Sequence, residues 1–323
     1  MLIDILILIA GFALVVGGAE FLVEGASGLA RKIGISEFII GLTIVAIGTS
    51  APEMVVSVIG AIQGNSDVSA GNVIGSNIFN SLVILGITAV AIPVGITKSN
   101  KKVDLPVYFA FTLLLMLVSK AHSLFGTGSR DEISRPAGII LLTLFVAYIL
   151  FTYKYQNDKS HISEAESGSK SRGKTWIYTL MSLGGLGALI YGGELFVDSA
   201  VAIAKIAGLS DKFIAVTILA IGTSLPELAT NIVAISKKKS QLALGNILGS
   251  NIFNMLLVLG TASAITPISF ERMSFIDFGV LLLGAAVIWS ASFGKNRMRI
   301  SRREGLMLLA LEAGYLTYIF INL

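Results

Sequence analysis

Residues 48–53 read Gly-Thr-Ser-Ala-Pro-Glu, and the pattern returns at residues 222–227 as Gly-Thr-Ser-Leu-Pro-Glu. Each copy lies in the middle of an apolar run that is long enough to cross a bilayer. Proline and glutamate are unfavourable in lipid unless other protein groups satisfy them. Two such motifs at matched depth in matched halves of the chain therefore predict a polar site inside a membrane.

The composition is that of a polytopic membrane protein. The chain has 323 residues, of which 54% are hydrophobic and 14% are charged, whereas soluble domains carry about 25% charged residues. The absence of cysteine excludes disulfides, thiol catalysis and thiolate metal sites. The two histidines, His122 and His161, fall in polar connections, which disfavours histidine-based catalysis.

The hydropathy pattern predicts an all-α membrane protein with ten transmembrane helices. Their approximate ranges are 2–28, 37–62, 69–92, 105–119, 137–153, 176–204, 212–235, 242–266, 275–293 and 304–322. The longest polar stretch, residues 154–175, is rich in serine, lysine and glutamate and reads as a flexible linker. It separates a first repeat of five spans, residues 1–153, from a second, residues 176–323.

The two halves are related by a constant offset of 174 residues over their first three spans. Between residues 71–86 and 245–260, 11 of 16 positions are identical, and they include Gly, Asn and Ser, so shared apolarity does not explain the match. Because five spans is an odd number, the second half enters the membrane from the opposite side. The sequence thus predicts an inverted-topology repeat.

Charge predicts the orientation in the membrane. Most of the 24 lysines and arginines fall in the loops that follow the odd-numbered spans. By the positive-inside rule that face is cytoplasmic, so the linker is cytoplasmic and both termini lie outside. We expect a multi-pass protein of the cytoplasmic membrane.

The two glutamates, Glu53 and Glu227, are the strongest candidates for function. A lone carboxylate at mid-span costs at least ~2.5 kcal/mol, and two nearby require a cation or protons to neutralise them. The proline before each glutamate removes a backbone donor and loosens the helix. Hydroxyl residues three and four positions earlier share the helix face of each glutamate; they are Thr49, Ser50, Thr223 and Ser224.

A second repeated motif adds amide and hydroxyl groups. Residues 71–80 read Gly-Asn-Val-Ile-Gly-Ser-Asn-Ile-Phe-Asn, and residues 245–254 repeat this pattern with two conservative changes. An oxygen-rich set without His or Cys favours hard cations, and Ca²⁺ accepts mixed carboxylate, carbonyl and amide ligands more readily than Mg²⁺ does. For Asn72, Asn77 and their counterparts Asn246 and Asn251, simple packing between helices is an equally good interpretation.

On these paired motifs the chain resembles the cation/calcium exchanger superfamily, and within it the prokaryotic sodium/calcium exchangers, over all ten spans. The resemblance implies alternating access, with the first and sixth spans sliding against the other eight, and no cofactor besides the transported ions. It also implies a set of ion-binding residues: Thr49, Ser50, Glu53, Ser76, Asn80, Thr223, Ser224, Glu227, Ser250 and Asn254, with the carbonyls of Ala46 and Ala220.

One position departs from the family pattern. The position of Asn254 is typically an aspartate in sodium/calcium exchangers, so this chain offers two carboxylates where they have three. One Ca²⁺ against two monovalent ions would be locally neutral, and buried glutamates can also accept protons. The hydroxyls of the motif favour Na⁺ over H⁺.

The sequence therefore predicts a secondary antiporter that exchanges Ca²⁺ for Na⁺, with the ions bound at the midplane between the two glutamates. Three alternatives stay open. A proton/calcium antiporter would use the same scaffold, a cation channel is disfavoured by the inverted repeat, and an intramembrane enzyme lacks a His or Lys in a span near Ser50 or Ser224. No nucleotide-binding loop, nucleic-acid-binding feature or obligate protein partner is evident.

Overall fold

A computed structural model describes residues 2–156, 174–206, 220–293 and 298–322. In these ranges the chain is built almost entirely of α-helices. They are, in order, α1 Leu2–Ile33, α2 Glu37–Ile40, α3 Ala46–Thr49, α4 Ala51–Ile62, α5 Ser66–Ile78, α6 Leu85–Ala91, α7 Leu105–Ser119, α8 Ala121–Phe125, α9 Arg135–Gln156, α10 Thr175–Ile206, α11 Ala220–Thr223, α12 Leu225–Ser236, α13 Ser240–Phe253, α14 Leu259–Ile265, α15 Phe275–Ser290 and α16 Arg302–Asn322.

Short π-helical segments interrupt or precede several of these helices, and two pairs of very short strands join loops. The π-helical segments are Gly41–Val45, Phe79–Ile84, Asn100–Asp104 and Asn254–Val258. The strands are β1 Val94–Gly95, β2 Glu132–Ile133, β3 Ile268–Ser269 and β4 Arg299–Ile300. They pair antiparallel as β1 with β4 and β2 with β3. The sequence did not predict these strands.

The all-α membrane class is confirmed. Within the described ranges, seven helices are long and apolar enough to cross a membrane, or eight when the bent pair Glu37–Thr49 and Ala51–Ile62 counts as one span. A further apolar helix, Phe275–Ser290, is shorter. Part of the predicted span 212–235, and the linker from residue 157 to residue 173, lie outside the described residues.

Two backbone conformations recur at the 174-residue offset. Gly64 ends a helix with φ +72°, and Lys238 has φ 61° at the corresponding position. A left-handed lysine is unfavourable by about 1–2 kcal/mol, so the turn geometry, rather than the residue type, determines this conformation. Helices α6 and α14 both end in extended backbone, at Ile92 and at Thr266, with φ −139° and −146°.

The structure divides into two compact units, and neither coincides with a sequence repeat. The first unit contains Met1–Pro52 and Ile162–Asn246, and the second contains Glu53–His161 and Ile247–Leu323. The proposed division into repeats 1–153 and 176–323 concerns sequence homology, and it stays a prediction.

In the first unit, glycines allow α1 and α10 to pack with their backbones in contact. A Cβ atom at Gly11 would lie 2.8 Å from the carbonyl O of Gly192, and one at Gly18 would lie 2.7 Å from that of Gly185. Higher residue numbers in α1 meet lower numbers in α10, so the two helices are antiparallel. Further along α1, Glu24 forms ion pairs with Lys237 and Lys239, at 3.0 and 3.2 Å.

In the second unit, a buried ion pair joins two loops beside the strand pair β2–β3. The Lys120 ammonium donates to Asp131 at 3.0 Å and to the carbonyl O of Phe270 at 2.8 Å. The Ser123 amide donates to the same carboxylate at 2.8 Å. Burial raises the pKa of Asp131, but the hydrogen bonds from Ser123 and the charge of Lys120 outweigh it, so this pKa lies below its ordinary value.

Candidate functional site

Both copies of the Gly-Thr-Ser-x-Pro-Glu motif break their helices at the serine. Ser50 has φ −86° and ψ 11°, and Ser224 has φ −91° and ψ 9°. Neither pair of angles is helical, and a new helix starts at the next residue in each case. The proline two residues after each serine provides no N–H for the preceding turn, which is the physical reason for the break. The predicted loosened turn is confirmed in both halves.

The first unit holds a buried polar group around Glu227, whose residue is 1% exposed. The Ser50 hydroxyl donates to Oε1 of Glu227 at 2.9 Å. The neighbouring Thr49 hydroxyl donates to Oδ1 of Asn246 at 3.3 Å. We call Thr49, Ser50, Glu227 and Asn246 the Glu227 group. It joins hydroxyls of the first motif copy to the carboxylate of the second.

Asn231 lies one turn after Glu227 and supports the same helix. Its Nδ2 donates to the carbonyl O of Glu227 at 2.8 Å. Its Oδ1, like Nδ2 of Asn246, is buried and has no hydrogen-bond partner within the described ranges. The Glu227 group is therefore accompanied by buried amide atoms that the protein's own described groups leave unsatisfied, a situation that costs free energy in a dry interior.

The second unit holds the other glutamate, Glu53, which is 0% exposed. Nδ2 of Asn72 donates to the carbonyl O of Glu53 at 3.1 Å and to the Ser57 hydroxyl at 2.9 Å. We call Glu53, Ser57 and Asn72 the Glu53 group. Asn72 thus fixes α5 against the helix that carries Glu53, which fits the packing interpretation of this residue.

A buried amide network lies further along the second repeated motif, also in the second unit. Nδ2 of Asn77 donates to the carbonyl O of Asn251 at 3.3 Å, and Oδ1 of Asn77 accepts from Nδ2 of Asn254 at 3.2 Å. Nδ2 of Asn251 donates to the Ser81 hydroxyl at 2.8 Å and to the Tyr108 hydroxyl at 3.1 Å. These five side chains are buried.

Three more predicted site residues belong to the second repeated motif, in α5, in the π-helical segment Phe79–Ile84 and in α13. In the second unit, Asn80 and Ser250 are 0% exposed and Ser76 is 5% exposed. Neither polar atom of the Asn80 side chain has a hydrogen-bond partner in the described parts of the chain.

The predicted carbonyl ligands and the second threonine lie in the first unit. The Ala46 carbonyl O accepts the Ser50 amide at 3.0 Å and the Thr49 hydroxyl at 3.4 Å. Ala220 and Thr223 form the ends of α11, and Thr223 is half-buried.

The chemistry available is that of oxygen ligands. Among the described residues, no group of three or more His, Asp and Glu side chains is placed to hold a metal ion. Any cation bound here would rely on one carboxylate per group together with hydroxyl, amide and carbonyl oxygens. Such mixed ligation suits Ca²⁺ and Na⁺ better than a transition metal.

Sequence reasoning missed several polar residues beside the predicted ones. Ser57 and Asn231 each follow a glutamate by four residues and correspond at the repeat offset, so that spacing was a usable signal. Ser81 carried no such signal, because the corresponding position is Met255, and Tyr108 lies beyond the three spans over which the repeat offset holds.

Comparison with known proteins supports a transporter. The chain is 35% identical to the inner membrane protein YrbG of Escherichia coli over 95% of this chain and 94% of that protein. It is 31% identical to the sodium/calcium exchanger MaX1 of Methanosarcina acetivorans, over 98% and 99% of the two chains. A solved structure of the sodium-calcium exchanger NCX_Mj superposes with a TM-score of 0.84 at 29% identity, covering 98% of this chain and 99% of that one.

The structural likeness to a sodium-calcium exchanger, together with the family match, indicates a transporter rather than an enzyme. Residues 3–154 and 177–322 match the family described as sodium/calcium exchanger protein. The chain belongs to this sodium/calcium exchanger family, and it is a cation/calcium antiporter. The predicted resemblance is confirmed.

Proposed function

We propose that this protein is a secondary antiporter that exchanges Ca²⁺ for Na⁺ across the cytoplasmic membrane by alternating access. Its ten spans would form two inverted five-helix repeats, with the linker in the cytoplasm and both termini outside. Glu53 and Glu227, at the membrane midplane, would bind the two ions in competition. The relatives MaX1 and NCX_Mj, whose names state sodium/calcium exchange, support the choice of ions.

The observation that carries this proposal is the hydrogen bond from Ser50 to Glu227. A carboxylate buried to 1% exposure requires compensation, and here the partner is a hydroxyl, which keeps lone pairs available for a cation. Exchange without leak then follows from electrostatics, because moving an unneutralised carboxylate through a low-dielectric interior is unfavourable. A bound Ca²⁺ or Na⁺ removes that penalty.

The proposed ligands are the oxygen-bearing residues that the sequence predicts. Thr49, Ser50, Thr223 and Ser224 would supply hydroxyls beside the glutamates. The second motif would add Ser76, Asn80, Ser250 and Asn254, and the carbonyls of Ala46 and Ala220 would complete the set. Of these, the acceptor atoms of Asn80 and Asn254 are buried and have no hydrogen-bond partner in the described ranges, which fits a role as ion ligands.

Proton/calcium antiport is the second candidate, and one observation favours it. Asn80 and Asn254 are both amides, so only the two glutamates carry charge. Two protons on those glutamates would neutralise the site as well as one Ca²⁺ does.

Transport into liposomes separates the two candidates. Purified protein would be reconstituted, and uptake of radioactive calcium would be driven either by an outward Na⁺ gradient or, without Na⁺, by a pH gradient. We expect uptake with the Na⁺ gradient alone, and we expect Glu53→Gln and Glu227→Gln to abolish it while retaining the wild-type elution profile. Uptake driven only by protons would reject sodium coupling, and wild-type rates in Glu53→Gln would reject the role of that glutamate.

A further inference from the structure

The amide network of the second unit has a fixed polarity. The carbonyl O of Asn251 can only accept a hydrogen bond, so the Asn77 amide must turn its Nδ2 towards it. Oδ1 of Asn77 then faces Asn254, and it too can only accept. Asn254 must therefore present Nδ2 to Asn77, and its own Oδ1 points away. One backbone carbonyl thus determines the orientation of two side-chain amides in succession.

This polarity matters because an amide has one end that binds a cation and one that repels it. Oδ1 of Asn254 is buried and has no hydrogen-bond partner within the described ranges. We infer that Asn77 is a positioning residue, which holds the Asn254 amide with its oxygen directed to the transported ion. This inference rests on the proposed function, in which Asn254 is a ligand.

Within the described residues, the first repeat has no hydrogen bond that corresponds to the one between Asn77 and Asn254. Asn251 is the counterpart of Asn77, yet its Nδ2 donates to Ser81 and Tyr108. Asn80, the counterpart of Asn254, has no partner at either amide atom in these ranges. The Asn77 side chain therefore determines the orientation of the Asn254 amide, whereas no described residue determines that of the Asn80 amide.

The arrangement is matched to an amide at position 254. An aspartate there would have no N–H to donate, and its oxygens would face the Asn77 oxygen. A carboxylate also has two equivalent oxygens, so it presents a ligand atom whichever way it turns. Orientation by Asn77 is consequently useful only when residue 254 is asparagine.

A double-mutant cycle tests the inference. Equilibrium binding of radioactive calcium would be measured on the purified full-length protein for Asn77→Leu, Asn254→Asp and the double variant. We expect Asn77→Leu to weaken calcium binding about threefold to tenfold when residue 254 is asparagine. In the Asn254→Asp background, where residue 254 donates no hydrogen bond to Asn77, we expect no weakening. Equal weakening in both backgrounds would mean that Asn77 is merely structural and would overturn the inference.

Two further measurements keep the result interpretable. Asn77→Ser, which is too short to reach Asn254 but retains a polar group, should reproduce the background-dependent loss if Asn77→Leu does not fold. Tyr108→Phe removes a hydroxyl from the same network without touching the Asn77–Asn254 bond, so its effect should be the same in both backgrounds. Absence of calcium binding by the wild-type protein would instead reject the proposed function, and this inference with it.

Discussion

The Ser50 hydroxyl lies 2.9 Å from Oε1 of Glu227, a residue 177 positions later in the chain. The two belong to different copies of the same motif, so the carboxylate of the second copy is hydrogen-bonded by the serine of the first. Ser50 is the residue at which its helix breaks, with φ −86° and ψ 11°. The residue at the helix break, Ser50, therefore also stabilises the buried Glu227 carboxylate.

Removing this hydroxyl should impair exchange. In Ser50→Ala the Glu227 carboxylate loses a charge-assisted hydrogen bond worth about 1.5–3 kcal/mol, so we expect calcium uptake at sub-saturating Na⁺ to fall at least about tenfold. Ser263→Ala is the control, since Ser263 is equally buried but, within the described residues, its hydroxyl bonds only the carbonyl of Leu259 in its own helix. Equal rates for the two variants would contradict the role assigned to Ser50.

The counterpart residues Asn72 and Asn246 should differ in their effect on stability. Nδ2 of Asn72 bonds both Glu53 and Ser57, whereas Nδ2 of Asn246 has no partner in the described ranges and its oxygen accepts from Thr49. At about 1 kcal/mol per hydrogen bond, Asn72→Leu should lower the unfolding midpoint in detergent more than Asn246→Leu does. A larger decrease of the unfolding midpoint for Asn246→Leu would contradict the stabilising role of the Asn72 hydrogen bonds.

The glycine contact between α1 and α10 predicts a sharp positional difference. A Cβ atom at Gly18 would meet backbone atoms of α10 at 2.7 and 2.8 Å, whereas one at Gly17 would meet nothing within 4 Å among the described residues. Overpacking against backbone costs about 1–3 kcal/mol, so Gly18→Ala should lower the thermal unfolding midpoint. Gly17→Ala should leave it unchanged or raise it, because alanine favours helices. Indistinguishable midpoints would refute the close contact.

The Lys120–Asp131 pair should stabilise the protein in a pH-dependent way. Its side chains are each 5% exposed, so loss of the charge in Asp131→Asn should cost about 2 kcal/mol near neutral pH. The pKa of Asp131 is lowered in the folded state, so this stability is complete above the ordinary aspartate pKa of about 4 and disappears as the pH falls through the folded-state value.

Unfolding midpoints from about pH 7 down to about pH 3 test this prediction. The difference between wild type and Asp131→Asn should shrink below about pH 4 and be constant above about pH 5. Glu132→Gln is the matched control, because its partner Arg130 is 51% exposed, and exposed pairs contribute at most about 1 kcal/mol. A difference that grows towards low pH would have the wrong sign for a lowered pKa.

The sequence alone determined the features that depend on local chemistry. Proline lacks an N–H wherever it occurs, so the breaks at Ser50 and Ser224 could be predicted without any neighbour. Apolar runs in a bilayer must satisfy their backbone N–H and C=O groups with internal hydrogen bonds, which helices provide, so the all-α membrane class could be predicted as well. The repeat and its motifs also indicated the exchanger family, which the comparisons confirm.

Only the tertiary structure decided which of the repeated residues meet. The motifs of the two halves are nearly identical, yet Asn72 bonds its neighbouring helix while Asn246 accepts from Thr49, and Asn77 orients Asn254 while Asn251 bonds Tyr108. The partners of Asn246, Asn251 and Asn254 are all more than a hundred positions away in the chain. Tyr108, the partner of Asn251, lies outside the three spans over which the repeat offset holds. A sequence repeat predicts similar backbone conformations in the two halves, but the surrounding side chains determine the hydrogen bonds that each copy forms.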